Sequence, residues 1–153
     1  MALFVGGIAF VVAGARAERF SRAAPSAAIT LVPVASVKQI MNGIVAPAAM
    51  SVFDAVSTVV TAEGIKETVP TTDAEWEALG NSAAALVEAG NLMLIGQRTV
   101  DQGEWVTMSK ALIDAGTRTL RAVEEKNPQK VFELGETLYE ACDNCHRKYQ
   151  RTF

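Results

Sequence analysis

Apolar residues recur every three or four positions through most of the chain after residue 36, which is the spacing of one face of an α-helix. The pattern falls into four stretches, each about 20 to 27 residues long, or about 30 to 40 Å at 1.5 Å per residue. Their apolar positions are Val37, Met41, Ile44, Ala48, Val52, Ala55 and Val59; Trp76, Leu79, Ala83, Leu86, Gly90 and Met93; Trp105, Met108, Leu112, Ala115 and Leu120; and Val131, Leu134, Leu138, Cys142, Cys145 and Tyr149. Strand-like alternation is almost absent, so the pattern predicts an all-α fold.

Residues typical of helix ends separate these stretches. Thr72 to Glu75 and Asp101 to Glu104 both match the capping box, in which the first and fourth residues bond each other's backbone N–H groups at a helix start. Asn127-Pro128 supplies an N-cap followed by proline at the first helical position. Gly96 is expected to end the second helix.

Pro47 interrupts the first stretch. Because proline has no backbone N–H, it cannot donate to the carbonyl of Gly43, and a kink or a restart of the helix is expected there. The connections between the four stretches are short, which makes sequence neighbours antiparallel. We therefore expect an antiparallel up-down-up-down four-helix bundle over residues 34–153.

The first 33 residues precede this bundle pattern. Residues 1–17 are an apolar run ending in Ala15-Arg16-Ala17, the small-x-small pattern that signal peptidase accepts. The run has no Lys or Arg at its start, so a buried helix or an uncleaved membrane anchor is the alternative, although a spanning helix needs about 20 apolar residues. We expect a signal peptide at residues 1–17, a flexible lead-in at 18–33, and export to the periplasm with no membrane span left after cleavage.

Composition narrows the function further. The chain has 153 residues, half of them apolar, which suits one domain with a substantial core. A net charge of -3 lacks the positive surface of a nucleic-acid-binding protein, so no nucleic-acid partner is expected. The chain contains two cysteines and one histidine, which excludes any site that needs two imidazoles.

Both cysteines and the histidine fall in one motif, Cys142-Asp143-Asn144-Cys145-His146. This is the C-x-x-C-H pattern of c-type haem attachment, in which two thiols add to the vinyl groups and the adjacent imidazole binds the iron. A thioredoxin-like pair would instead begin a helix after a strand, and a zinc site would need a fourth ligand. A structural disulfide or two buried free thiols remain alternatives.

With this motif near the C-terminus of a four-helix pattern, the chain resembles the class II c-type cytochromes, the cytochrome c′ and cytochrome c-556 group. ACDNCHRKY (141–149), VKQIMNGIVAP (37–47) and NLMLIGQRTVDQGEW (91–105) carry the resemblance. It implies haem c held inside the bundle, a periplasmic location, and electron transfer or, in some members, binding of diatomic gases. Relatives are often homodimers.

The sixth iron ligand would decide between these two functions. Met41 lies on the expected inner face of the first helix and matches the position of the methionine ligand in the resemblance. Met50 is nine residues on, about half a turn away, and should point outward. Met93 and Met108 are expected to fill the core.

We therefore expect covalent haem at Cys142 and Cys145, with His146 as the proximal and Met41 as the distal iron ligand. The protein would be an electron carrier for a redox partner protein, with no catalytic residues. The alternative is a five-coordinate haem protein that binds NO or CO. An enzymatic alternative, a thiol–disulfide oxidoreductase, would use Cys142 as its nucleophile, and a purely structural helical protein would need none of these residues.

A basic cluster of Arg147, Lys148 and Arg151 follows the motif. These charges would complement the C-terminal end of the last helix dipole. The other interpretation is a docking patch for an acidic redox partner or a counter-charge for haem propionates.

Overall fold

The computed structural model describes residues 31–150, and within them the chain is mostly helical. The expected signal peptide at residues 1–17, the lead-in up to residue 30 and Arg151 lie outside the described residues. Residues 31–33, the end of the expected lead-in, belong to neither a helix nor a strand. No helix between residues 31 and 150 combines the length and the apolar character that a membrane span requires.

The first helical segment, residues 37–55, changes its hydrogen-bonding pattern partway along. It comprises α1 (Val37–Ile40), a π-helical turn (Met41–Val45) and α2 (Ala46–Ala55). At the end of the π turn, the N–H of Ala46 donates to the carbonyl of Met41. Pro47 follows at once, so the wider turn precedes the residue that cannot donate to Gly43. The interruption expected from Pro47 is thus confirmed, in the form of a π turn.

The π turn also widens the predicted inner face of this segment. Ile44, which was expected to face inward, is partly buried and packs against the core, and Val45, which was not among the predicted positions, is buried. A π turn contains more residues than an α turn, so the positions around it shift relative to a regular 3.6-residue repeat.

A β-hairpin follows where the periodicity predicted helix and then a turn. Strand β1 (Ser57–Thr61) pairs antiparallel with β2 (Gly64–Thr68), with Val60 opposite Ile65. Val59 therefore belongs to a strand and is 50% exposed, and the expectation of an all-α chain was wrong at this point. The physical reason is the run Thr-Val-Val-Thr, because β-branched side chains favour an extended backbone.

Three regular helices complete the described part of the chain: α3 (Asp73–Leu92), α4 (Glu104–Glu124) and α5 (Pro128–Tyr149). The capping box predicted at the start of α3 is confirmed, since Thr72 and Glu75 bond each other's backbone. Asn127 caps α5 as predicted, by accepting from the N–H of Lys130 at 3.0 Å. Helix α3 ends at Leu92, before Gly96, which has φ of +60° and opens a short 3-10 turn (Gly96–Arg98).

The capping box predicted for α4 was wrong. Gly103 is the N-cap of α4, and no side chain bonds the backbone there as a cap. The carboxylate of Asp101 instead accepts from the N–H groups of Gly103 at 2.8 Å and Trp105 at 3.1 Å. The other carboxylate oxygen of Asp101 can then accept a hydrogen bond from another helix, as described below.

The core is built from the predicted inner faces of the four helical stretches. Helix α4 packs against both α3 and α5, and α2 packs against α3 more extensively than against α5. The fully or nearly fully buried members include Val52, Leu79, Leu86, Trp105, Ala115, Val131 and Leu138, and Ile40, which was not among the predicted positions, is buried as well. Because α2 meets α5 only sparsely, a groove opens between the first helical segment and the last helix.

Candidate functional site

The groove has a volume of about 490 Å³, within the range of about 300 to 1,000 Å³ typical of small-molecule and cofactor pockets. Met41 lines it from the first helical segment, and Cys142, Cys145 and His146 line it from α5. The four residues predicted to hold haem therefore border one space, although Met41 and the motif are about a hundred positions apart in the chain. The same four also line a smaller cavity of about 30 Å³.

The wall formed by the first helical segment is mostly apolar, with Lys38 and Asn42 also lining it, and its apolar residues recur at a constant spacing. Val37, Met41, Val45, Ala49 and Phe53, each four residues apart, all border the groove. In an α-helix, such residues drift about 40° around the axis at each step of four. The wide π turn reduces this drift, because its hydrogen bonds span five residues. The π turn thus keeps Met41 on the same side as the residues that follow it.

The opposite wall is the C-terminal part of α5. Cys142 and Cys145 lie three positions apart, and both are free thiols with partly buried side chains. Burial raises the pKa of Cys142, and burial together with the neighbouring Cys142 raises the pKa of Cys145. Both groups are therefore held as protonated thiols at neutral pH, and the disulfide alternative is absent from this structure. His146 is exposed at the groove rim.

The other methionines lie where the sequence predicted them. Met93 is buried and lines only the smaller cavity, and Met108 lines that cavity while partly buried. Met50 is 55% exposed at the outer edge of the groove, which confirms its expected outward direction. Met41, partly buried, is the methionine that borders both spaces together with the motif.

Two aromatic side chains, Trp105 and Tyr149, form what we call the aromatic corner of the groove. Their rings meet edge to face, with centroids 5.1 Å apart at 85°. The indole N–H of Trp105 donates to the carbonyl of Met93 at 2.9 Å. The hydroxyl of Tyr149 donates to the Oδ2 atom of Asp101. This hydrogen bond raises the pKa of Tyr149 to about 12 and lowers the pKa of Asp101.

Asp101 is the site residue that sequence analysis missed. Its position before a helix fitted a capping box, and nothing in the local pattern related it to a tyrosine 48 residues away. The only signal in the sequence was Gly103, which lies between Asp101 and Glu104 and has no side chain that could cap a helix.

The basic residues that follow the motif make ion pairs within the protein. Arg147 Nε lies 3.1 Å from Asp143 Oδ2, and Lys148 pairs with Glu104 at the start of α4. Together with His146 they occupy the last turn of α5, where positive charge complements the helix dipole. The structural interpretation of Arg147 and Lys148 is thus supported, and Arg151 lies outside the described residues.

Comparisons of the chain with family models, curated proteins and solved structures found no match. Within residues 31–150, no three side chains of the His, Cys, Asp and Glu types are grouped so that they could hold a metal ion. The zinc alternative for the Cys-His motif therefore gains no support from the geometry. The assignment of a function depends on the groove itself.

Proposed function

We propose that this protein is a mono-haem c-type cytochrome of the class II type that carries electrons in the periplasm. Cys142 and Cys145 would bind haem c covalently, with His146 and Met41 as the axial iron ligands. One observation carries the proposal: the C-x-x-C-H motif and Met41 border the same groove from opposite sides. When bound, the haem iron would supply a one-electron couple between its ferrous and ferric states.

The chemistry of the lining fits such a group. The walls are mostly apolar side chains of the first helical segment, which suits a porphyrin face, and the aromatic corner adds ring surface. Cys142 and Cys145 are both free thiols, as two thioether bonds to the vinyl groups of haem c would require. The thioether of Met41 and the imidazole of His146 form a ligand pair that raises the reduction potential in cytochromes.

The helices also have the connections that an up-down-up-down bundle needs, and we propose that arrangement. Trp105 at the start of α4 bonds Met93 just after the end of α3. Lys126, after α4, pairs with Asp73 at the start of α3 at 2.6 Å. Lys148, near the end of α5, pairs with Glu104 at the start of α4. These contacts support antiparallel neighbours, with the haem between the first and last helical stretches.

The thiol–disulfide oxidoreductase alternative fits this site less well. Catalytic cysteines in that class have a lowered pKa, most often at a helix N-terminus. Here the motif lies in the last two turns of α5, and burial raises the pKa of both thiols. Export to the periplasm is supported only by the signal-peptide pattern at residues 1–17 and stays part of the proposal.

The test is to produce the chain together with haem-attachment machinery and to record absorption spectra of the reduced protein. The wild type should carry covalent haem with a low-spin spectrum. Cys142→Ser with Cys145→Ser should abolish covalent attachment, because no thioether can form. A wild-type chain that stays colourless under these conditions would overturn the proposal.

Met41 is tested with a matched pair of variants. Met41→Leu should convert the ferrous haem from low-spin to high-spin, since leucine offers no sulfur. Met50→Leu makes the same chemical change at an exposed position and should leave the low-spin spectrum unchanged. Identical spectra for Met41→Leu and the wild type would eliminate Met41 as the distal ligand.

A second candidate function is binding of NO or CO at a five-coordinate iron. The smaller cavity favours it, because about 30 Å³ bordered by Met41, Cys142 and His146 is close to the volume of one small molecule. Addition of CO to the reduced wild type separates the two. A low-spin spectrum that CO barely alters favours electron transfer, whereas a high-spin spectrum that CO converts quickly favours gas binding.

A further inference from the structure

One carboxylate, that of Asp101, bonds both helices that meet at the aromatic corner. The Oδ1 atom of Asp101 accepts from the backbone N–H groups of Gly103 and Trp105 at the start of α4. Its Oδ2 atom accepts from the hydroxyl of Tyr149, the last residue of α5. Each oxygen therefore serves a different helix, and the carboxylate joins the start of α4 to the end of α5.

The end of α5 is where that connection matters most. Tyr149 lies three residues after His146, close to one helical turn, so the two side chains are on neighbouring parts of the same face. Tyr149 is almost fully buried, whereas His146 is exposed. Burial of Tyr149 therefore fixes the last turn of α5. The imidazole of His146 on this turn is exposed, so burial does not hold it in place.

We propose that Asp101 is a positioning residue for His146. Through Tyr149 it holds the last turn of α5 against the start of α4 and so directs the imidazole toward the groove. The role of that imidazole as an iron ligand rests on the function proposed above, but the connection from Asp101 to Tyr149 exists in the chain without haem.

This connection can be distinguished from ordinary helix capping by experiment, because substitutions can disrupt the bond at Oδ2 while the bonds at Oδ1 are kept. Tyr149→Phe removes the hydroxyl, with its bond to Asp101 and its interaction with the backbone of Trp105, while keeping the ring beside Trp105 and the two bonds from Asp101 to the start of α4. Asp101→Asn keeps one carbonyl oxygen for the N–H groups of α4 and replaces Oδ2 with an NH₂ group. Both variants therefore weaken the same connection to α5, and neither removes the carbonyl that serves α4.

The first test measures amide hydrogen exchange in the full chain without haem. Amides of residues 147–150 should exchange about tenfold faster in either variant, the expected result of losing a charge-assisted bond that closes the last turn. Amides of α3 should be unchanged. Asp114→Asn is the control, because it removes a carboxylate of α4 that is 72% exposed and should leave residues 147–150 unaffected.

Combining the two substitutions gives the sharper result. If Asp101 acts on α5 through Tyr149, the double variant should exchange no faster at residues 147–150 than the Tyr149→Phe variant, which already lacks the hydroxyl. Unchanged exchange in both single variants would overturn the proposal, and so would single effects that multiply in the double variant.

The haem-loaded protein provides a measurement that a general loosening of the fold would not change. The electron paramagnetic resonance spectrum of ferric haem depends on the orientation of its axial ligands, so both variants should shift its principal g values and Asp114→Asn should not. Unchanged g values in both variants would overturn the positioning role. A wild type that takes up no haem would instead overturn the proposed function, while the exchange result still decides whether Asp101 holds the last turn of α5.

Discussion

The two walls of the groove are built differently. Helix α5 is regular over its whole length, is capped by Asn127, and is joined at its far end to α4 through Asp101 and Glu104. The first helical segment changes from α to π and back within its first half. Ser51 of this segment is hydrogen-bonded to Ser82 of α3. Just before the segment, the carbonyl of Ala35 accepts from Arg98 in the turn after α3.

The two walls are therefore expected to have different roles in the proposed haem site. The thiols and the imidazole project from a helix that is fixed at both ends, as a covalent attachment site requires. Met41 projects from the π turn, where one residue more or fewer per turn changes its direction. The comparison therefore implies a rigid attachment wall and an adjustable distal wall, and the following predictions test each.

The largest effect is expected from shortening a core side chain of α5. Leu138 is fully buried, so Leu138→Ala should lower the free energy of unfolding by about 2 to 5 kcal/mol through lost contacts and the cavity left behind. Chemical denaturation measures it. Phe132→Ala, on the exposed side of the same helix, should change stability by no more than about 0.5 kcal/mol. Equal losses for the two variants would contradict the buried face assigned to α5.

Pro47→Ala is expected to have a smaller effect on stability than Leu138→Ala but a larger effect on the geometry of the groove. The new N–H can bond the carbonyl of Gly43, which should convert the π turn to α-helix and rotate Met41 about 100° away from its place, the angle of one residue. The free energy of unfolding should rise by about 1 kcal/mol, because relief of the proline is partly offset by a more flexible unfolded chain. Nuclear magnetic resonance of the amides of residues 41–47 measures the change.

The control for this prediction is Pro70→Ala, which alters a proline outside the helices and should leave the π turn in place. Persistence of the π turn in Pro47→Ala would mean that packing of the groove-facing residues, and not the proline, selects it. The distal wall would then be less adjustable than the comparison implies.

The smallest effect is a dependence of stability on alkaline pH. Tyr149 has a pKa of about 12 in the folded chain, raised first by its hydrogen bond to Asp101. A raised pKa stabilises the folded state fully below the unfolded value of about 10 and loses this contribution as the pH rises through about 12. Denaturation between pH 8 and 12 should show this loss in the wild type. It should disappear in Tyr149→Phe and persist in Tyr139→Phe, which alters an exposed tyrosine.

Local signals in the sequence predicted much of the fold correctly. The capping box of Thr72 and Glu75 and the cap at Asn127 involve residues three positions apart, so the sequence alone contains them. The apolar face of α3 is buried as predicted, because burial on one side of a regular helix follows its 3.6-residue period. These features depend on neighbours within one turn.

The errors arise where one local signal competes with another. Val59 continued a helical spacing, but β-branched neighbours favoured the strand that the structure contains. Val45 was missed as an inner position because periodicity assumes an unbroken α-helix, while Ile44 packs against the core but is only partly buried. Asp101 matched a capping box, yet its decisive partner, Tyr149, comes from the far end of another helix. The motif at Cys142–His146 could be recognised because its residues are contiguous, and its role in haem attachment stays a prediction, whereas the aromatic corner beside it depends on tertiary packing.

The hairpin between α2 and α3 has a practical consequence. Both strands are almost entirely exposed, and Val60 and Ile65 point into solvent at 74% and 69% exposure. The loop residues Ala62 and Glu63 are exposed as well. Lengthening such a loop costs little entropy, and exposed tips of this kind accept insertions. The tip is therefore a natural place to graft a peptide tag, a fluorophore or an anchor to an electrode surface, with both walls of the groove left as they are.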